Sequence, residues 1–345
     1  PLSNLVFFTR QLATMYSAGL TLERAIRGLA SEERHPKMKK VLKNVGENIR
    51  KGLSLSEALQ RHPGVFSTLF VSLTKAGEVS GNLDEILDEL ATYLENLDDV
   101  RRKVRSAMTY PIFMVVFLFA MMSAMFMWII PMFSDVYVQL GANLPAATRK
   151  LVSLSEWISI NFSTVVLSLF GVAVGLWLVS KTRRGGYIID SIKLRTPIFG
   201  SLLNQSILNK FSKTLGILLN AGVPVIESMN LIAKIVSNRV YEVAIGDATE
   251  YIRDGFNITS ALRRTEIFPP ILLQLSATGE ETGELDTLLD KAADYYYKQV
   301  NALVERMTTL IEPILILMVG IIIGVMVVIT YLPVFYLGAA LQSGL

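Results

Sequence analysis

Apolar and polar residues are arranged along this chain in long blocks. Three stretches carry no charged residue, and each contains an apolar run near or above the roughly 18 residues of a membrane-spanning helix. They are residues 106–134, 157–180 and 313–345. Buried core helices are the alternative, but such helices rarely run so long without a charge. The pattern therefore predicts three transmembrane helices, near residues 111–131, 161–180 and 312–334.

The two polar blocks show the periodicity of amphipathic helices. Apolar residues from Leu5 to Tyr16 recur at helical spacing, and Gly19 follows as a helix-ending residue. Ser54 and Glu57 stand three residues apart, which is the spacing of a capping box. No proline interrupts residues 82–110, so the last helix of the block can continue into the membrane. The predicted helices cover residues 4–18, 21–31, 35–51, 54–61, 66–76 and 82–105, and a matching series runs from about 205 to 310.

The second half of the chain repeats the first. Residues 50–59 match residues 253–262 at an offset of 203, and residues 76–84 match residues 278–286 at an offset of 202. The first and third apolar segments follow the same register, whereas the second has no counterpart. Such a register indicates a duplicated structural unit. We therefore predict an all-α membrane protein with two duplicated six-helix bundles and three transmembrane helices, in which the second span returns the chain so that the internal repeat is parallel.

Basic residues lie on one side of the predicted membrane. Four of them, between residues 101 and 105, precede the first span, and Lys181, Arg183 and Arg184 follow the second. By the positive-inside rule, both bundles are cytoplasmic, and the loop and the C-terminus lie on the opposite side. The predicted divisions are 1–109 and 181–311 for the cytoplasmic bundles, 110–133, 161–180 and 312–338 for the transmembrane helices, 134–160 for the loop and 339–345 for the tail.

Composition and motifs argue against several classes of chemistry. The net charge of +3 is spread evenly, so no strongly basic surface for nucleic acid is expected. The absence of cysteine excludes disulfides, iron–sulfur ligation and thiol catalysis. Phosphate-loop, zinc-protease and hydrolase motifs are missing, and neither His35 nor His62 is repeated in the second half. We therefore expect no enzymatic activity, no cofactor and no metal.

A Gly-Glu-x-Ser/Thr-Gly-x-Leu-Asp motif occurs in each half of the chain. One interpretation is a connector between helices, in which glycines form the turn and acidic residues begin the next helix. The alternative is a partner-contact surface or a divalent-cation site, although the spacing lacks the ligand density of an EF-hand loop. The candidate contact residues are Gly77, Glu78, Gly81, Asp84, Gly279, Glu280, Gly283 and Asp286.

The apolar segments offer a second candidate surface. Five methionines lie between residues 121 and 132, where they are either lipid-facing or part of an adaptable groove for another protein's transmembrane helix. A transporter or channel is the alternative function, but it would place ionisable groups inside the spans, and Glu312 at the edge of the third span is the nearest one. The candidate groove residues are Pro111, Pro131, Phe133, Pro313, Pro333 and Phe335.

Several of these motifs together resemble a known family. They are F-x-R-Q-L-A-x-x-x-x-A-G at residues 8–19, G-x-x-L-x-x-A-L at residues 52–59, G-E-x-x-G-x-L-D at residues 77–84, Tyr110-Pro111 and the loop segment 140–148. The chain resembles, over essentially its whole length, the type II secretion F / type IV pilus PilC family of inner-membrane platform proteins. Family members usually carry a further segment before the first motif, so we expect additional residues before Pro1 in the full-length protein.

The resemblance implies a non-enzymatic scaffold in the bacterial inner membrane, with a cytoplasmic N-terminus and a periplasmic C-terminus. Such proteins lie between a cytoplasmic hexameric ATPase and the pool of pilins or pseudopilins, and they couple ATPase motion to filament growth. The expected partners are the ATPase, pilin or pseudopilin transmembrane helices, other inner-membrane components, the bilayer and a second copy in a homodimer. The sequence leaves open whether the machine is a pilus or a type II secretion system, and which bundle contacts the ATPase.

Overall fold

The computed structural model describes residues 2–125, 161–197 and 199–342, and single positions at 128, 131, 132, 135, 153 and 157. Every element within these residues is helical, which confirms the predicted all-α class. The first part contains α1 (Leu2–Ser17), α2 (Leu22–Glu32), α3 (Pro36–Arg50), α4 (Leu55–Gln60), α5 (Thr68–Ser80) and α6 (Leu83–Ala124). The second part contains α7 (Phe162–Lys181), α8 (Arg183–Arg195), α9 (Phe199–Asn220), α10 (Val225–Ile235), α11 (Arg239–Arg253), α12 (Ile258–Arg264), α13 (Pro270–Thr282) and α14 (Leu285–Gln342). Most of the predicted loop 134–160, and residues 343–345 of the predicted tail, lie outside the described residues.

Local signals explain most of the helix boundaries in the first part. The Ser54–Glu57 capping box is confirmed, because each side chain bonds the other residue's backbone N–H. Gly19 has a φ of +86°, the left-handed conformation expected after a helix. The prediction for α5 is wrong at its end, since the helix continues through Gly77 to Ser80. Gly81, with a φ of +80°, is the residue at which α5 stops.

Helix α8 is a feature that the sequence does not predict, because the matching helix series is expected to begin only at about residue 205. The adjacent glycines Gly185 and Gly186 have low helix propensity and weaken the signal. Tertiary contacts compensate for this, since α8 packs against α9 and α11. The carboxylate of Asp190 also accepts a hydrogen bond from the backbone N–H of Arg239, at 3.0 Å, where α11 begins.

The contacts divide the chain into two compact units. The first unit, Pro1–Lys103 with Arg183–Leu303, contains both polar blocks, and its core is one apolar cluster with members from each block.

Corresponding aromatic pairs lie in the two blocks. The ring centres of Phe8 and Phe66 are 5.9 Å apart. The pair at the repeated positions, Phe211 and Phe268, is separated by 5.0 Å. Burial of these rings contributes to the apolar area that stabilises the unit.

The second unit, Val104–Thr182 with Val304–Leu345, contains the apolar segments. Within the described residues, two helices are long and apolar enough to cross a membrane, Leu83–Ala124 and Leu285–Val325. Side chains along them are largely exposed, as for Phe119 at 74% and Ile316 at 62%. The predicted second span corresponds to α7, whose described apolar stretch, Phe170–Lys181, is shorter. A count of three spans therefore stays a prediction.

Candidate partner-binding clefts

The repeated motif forms a tight turn in each block. Gly81 and Gly283 end α5 and α13 with φ values of +80° and +78°. About one turn earlier in the motif, the first glycines allow a close approach of the following helix. A Cβ atom on Gly279 would lie 2.7 Å from the Cα of Leu285, and one on Gly77 would lie 3.1 Å from the Leu83 Cα. The glycines therefore act in packing and turning, as the connector interpretation expects.

The motif glutamates bond to the start of a neighbouring short helix. The Glu78 carboxylate accepts hydrogen bonds from the backbone N–H groups of Leu55 and Ser56, at 2.5 and 3.3 Å, and from the Ser56 hydroxyl at 2.5 Å. The Glu280 carboxylate accepts from the backbone N–H groups of Ile258 and Thr259, at 2.6 and 2.9 Å. Each glutamate thus provides acceptors and negative charge at the N-terminus of α4 or α12. The sequence does not reveal this internal role, because the partners lie 21 to 23 residues away.

The motif aspartates lie in the first turns of the two long helices. Asp84 is exposed at the start of α6, and Asp286 is half-buried at the start of α14. There they face the positive end of the helix dipole. Within the described residues, no group of three or more histidine or acidic side chains is arranged to hold a metal ion.

A cleft borders the motif in each block. The first cleft has a volume of about 1020 Å³ and includes Ser56, Gln60, Lys75, Glu78 and Val79 from α4 and α5. The second cleft has a volume of about 490 Å³ and is lined by Asn257, Thr259, Ser260, Arg263, Ala277, Glu280 and Glu281. Most of these lining residues occupy matching positions of the repeat. The two clefts are therefore the same surface in two copies.

The two clefts differ in what encloses them. One wall of the first cleft is formed by the turn between α9 and α10, residues 221–224, together with Glu227 in the first turn of α10. The lining of the second cleft comes only from α12, the residue before it and α13. Apart from the buried Thr259 and the apolar Ala277, its lining residues are exposed or half-exposed polar side chains. The second cleft is thus the more open of the two surfaces.

An ionic contact of Lys213 connects the two blocks. The Lys213 ammonium lies 2.5 Å from the Asp290 carboxylate in its own block and 3.1 Å from the Glu89 carboxylate in the other block. Burial alone would lower the pKa of Lys213, but these two carboxylates outweigh it and raise the pKa. The lysine therefore stays charged and links α9, α14 and α6.

The repeat contains a signal for this contact. At the positions corresponding to Lys213 and Asp290, Arg10 forms an ion pair with Asp88. Arg10 Nε also donates to the Glu95 carboxylate at 2.7 Å. A basic residue that recurs in register with an acidic one predicts the pair within each block. It does not predict the additional contact of Lys213 with the other block.

The candidate groove residues are only partly described. Pro111 lies inside α6 and Pro313 inside α14, and neither proline ends its helix. The backbone of Pro333 lies within α14, and Pro131 is exposed at one of the single described positions. Phe133 and the side chains of Pro333 and Phe335 lie outside the described residues. The groove therefore stays a prediction.

Comparison with known proteins identifies the family. The family described as type II secretion system (T2SS), protein F, matches the chain twice, at residues 8–131 and 211–333. The two matches begin 203 residues apart and end 202 residues apart, which are the offsets of the repeat.

Individual relatives come from both kinds of machine. The type IV pilus assembly protein PilC of Thermus thermophilus is 40% identical over 97% of this chain and 82% of its own length. PilC of Myxococcus xanthus is 36% identical over 98% of this chain and 81% of its own length. The type II secretion system protein F of Aeromonas hydrophila is 34% identical over 91% of this chain and 81% of its own length. The chain therefore belongs to the type II secretion system protein F family, which includes the PilC proteins of type IV pilus assembly.

Proposed function

We propose that this component of a type IV pilus or type II secretion machine is the inner-membrane platform of that machine. In this role it couples a cytoplasmic hexameric ATPase to the extraction and assembly of pilin or pseudopilin subunits, and it acts as a scaffold rather than an enzyme. The names of the relatives support the assignment to the machine. The observation that carries the coupling role is the continuity of α6 and α14.

Each of these two helices joins a packed polar part to an exposed apolar part. α6 has 42 residues and α14 has 58. Before the apolar parts begin, the Tyr297 hydroxyl donates to the Asp99 carboxylate at 2.7 Å, and the Lys103 ammonium donates to the Asn301 side chain at 2.9 Å. Pro111 and Pro313 each remove a backbone hydrogen bond but do not end their helices, so each helix continues from its polar part into its apolar part. A partner that moves the polar parts would therefore also move the apolar parts.

The membrane arrangement belongs to the same proposal. Two duplicated cytoplasmic bundles, three transmembrane helices, a cytoplasmic N-terminus and a periplasmic C-terminus agree with the basic residues around Lys181 and with the charge-free segments. The predicted divisions at 109/110, 180/181 and 311/312 complete this topology. The charge-free segments also favour a platform over a transporter or channel, which would require ionisable groups within the spans.

The surfaces indicate where the partners bind. We assign the ATPase to the second cleft, because the exposed Arg263 and Glu281 and the half-exposed Ser260 suit the surface of a soluble protein. We assign pilin or pseudopilin helices to the apolar parts of α6 and α14, where Phe113 and Ile316 are 64% and 62% exposed. Other inner-membrane components, the bilayer and a second copy of the chain complete the proposed contacts.

The test is complementation of a deletion strain with full-length variants. Glu281→Lys reverses an exposed charge at the second cleft, and Asp247→Lys makes the same change at an exposed position of α11 outside both clefts. We expect Glu281→Lys to reduce surface filaments or secretion severalfold and to weaken co-purification of the ATPase. Asp247→Lys should leave both unchanged.

Protein abundance in the membrane fraction separates a lost contact from a lost fold. If the two variants are equally abundant and only Glu281→Lys reduces filament assembly or secretion, the assigned surface is supported. Equal defects in both variants would contradict the assignment of the second cleft. Normal filament assembly or secretion in the deletion strain would contradict the platform function itself.

A further inference from the structure

Helix α8 begins where the preceding apolar helix ends with features typical of a membrane–water interface. Near the end of α7, Trp177 is 59% exposed, and the Lys181 ammonium lies 5.1 Å from the centre of its ring. Tryptophan and basic residues concentrate at the lipid headgroups, where an aromatic body and a charged tip are both accommodated. Only Thr182, in an extended conformation, separates α7 from α8. α8 therefore starts next to a residue pair suited to the headgroup region.

One face of α8 is occupied by contacts within the first unit. Asp190 accepts the hydrogen bond from the Arg239 backbone N–H and forms an ion pair with Lys193 at 2.8 Å. Leu194, one turn further, packs against the apolar core. At 100° per residue, Gly186, Asp190 and Leu194 share this face. They fix which side of α8 points outward.

The opposite face carries apolar residues without a covering element in the described residues. Ile188 and Ile192 are 57% and 59% exposed. Arg184 and Arg195 are exposed on the same arc of the helix, one at each end. Apolar side chains flanked by arginines are typical of helices that lie in the plane of a membrane surface.

We propose that this outward face of α8 lies on the cytoplasmic leaflet of the bilayer and binds anionic lipid headgroups. The inference rests on the proposed function, which makes α7 a membrane-spanning helix with its basic end in the cytoplasm. Ile188 and Ile192 would reach the acyl boundary, and the two arginines would pair with lipid phosphates. α8 then holds the α9–α11 side of the first unit against the membrane.

The absence of cysteine makes a direct test straightforward, because each introduced thiol is unique. Spin labels are attached at Ile188→Cys, at Leu178→Cys in α7 and at Val79→Cys in α5. Val79 is an apolar control with 82% exposure. The full chain is reconstituted in bilayers of phosphatidylcholine with phosphatidylglycerol and in bilayers of phosphatidylcholine alone. Collision rates with oxygen and with a water-soluble nickel chelate report lipid and water contact, respectively.

The expected result is that the label at 188 collides mainly with oxygen in the anionic bilayer and moves toward water in the neutral one. The label at 79 should collide mainly with the nickel chelate in both. The double change Arg184→Gln and Arg195→Gln should remove most of the difference between the two bilayers at position 188. Equal nickel contact at 188 and 79 would overturn the inference.

Three further outcomes are distinguishable. If the label at 178 is in lipid while the label at 188 is in water, the inference on α8 fails but the proposed membrane arrangement stands. If the label at 178 is also in water, the proposed arrangement of α7 fails with it. Protection at 188 that disappears when the protein is diluted in lipid would show a second protein copy on this face, and it would also overturn the inference.

Discussion

The strongest quantitative prediction concerns the carboxylate at the start of α4. Glu78→Ala removes the acceptor for the Leu55 and Ser56 backbone N–H groups and for the Ser56 hydroxyl. An unsatisfied buried donor costs about 1–3 kcal/mol, and water entering the adjoining cleft would offset part of this cost. We expect a loss of about 2–4 kcal/mol in the local stability of α4.

The repeat supplies a matched comparison for this effect. Glu280→Ala removes two backbone acceptor contacts at α12, but the Thr259 hydroxyl there has no partner among the described residues. Its loss should be smaller than that of Glu78→Ala by about 1 kcal/mol, the net value of one hydrogen bond.

Thiol labelling of the full chain in detergent measures the local effect. Ala58 and Ala261 are completely buried, in α4 and α12, at matching positions of the repeat. When opening is fast and reversible, the labelling rate of a buried cysteine follows the population of the open state. Since about 1.4 kcal/mol corresponds to a factor of ten, Glu78→Ala should accelerate labelling at Ala58→Cys by about thirtyfold to several hundredfold.

The control is the other block of the same molecule. Glu78→Ala should leave labelling at Ala261→Cys close to its original rate, and Glu280→Ala should show the reverse pattern. The variants are compared in the same cysteine background, so the cost of the introduced sulfur cancels. An unchanged rate at both cysteines, or equal acceleration at both, would refute the assignment of each glutamate to its own short helix.

Three further predictions concern the packing, the link between blocks and the acid response. Gly279→Ala should destabilise the full chain by about 1–3 kcal/mol, because its Cβ would collide with the next helix. Gly28→Ala, which has open space around the Cβ, should instead stabilise the chain by about 0.5–1 kcal/mol. Thermal unfolding in detergent measures both effects, and equal shifts of the unfolding midpoint would contradict the close approach at Gly279. Lys213→Met should lower the free energy of unfolding by about 1–2 kcal/mol. This is less than for a fully buried ion pair, because the carboxylate partners of Lys213 are partly exposed. An unchanged unfolding midpoint would show that the link is not stabilising. Arg10 lowers the pKa of Glu95 from 4.5, so this ion pair stabilises the fold above pH 4.5, and the stabilisation is lost as the pH falls through the lowered pKa. Arg10→Gln should therefore make the free energy of unfolding less dependent on pH in the acid range. An unchanged pH dependence of stability would contradict the pairing.

The features that sequence predicts best are those set by neighbouring residues. The Ser54–Glu57 capping box and the left-handed Gly19 depend on contacts within a few residues, so spacing alone is enough to identify them. The repeat also allows the sequence to predict equivalent positions in the two blocks. It places Phe8 and Phe211 at matching positions, and each proves to be a core ring in its own block.

The features that sequence does not predict depend on contacts between distant segments. Glu78 lies 23 residues from Leu55, and only the packing of α5 against α4 makes the carboxylate a helix cap. Glycine is a residue type common in turns, yet Gly77 lies inside α5, where the missing side chain leaves space for the following helix. α8 forms despite its paired glycines because tertiary contacts compensate for weak propensity.

The most direct measurement of the central proposal is photocross-linking in cells that assemble filaments or secrete substrate. A photoreactive residue replaces Glu281 at the second cleft, Ile316 in the apolar part of α14, or Asp247 as the control. We expect capture of the assembly ATPase from position 281, capture of a pilin or pseudopilin from position 316, and neither from position 247. If functional cells give no such product from 281 or 316, or the same products from all three positions, the chain does not link an ATPase to pilin subunits through these surfaces.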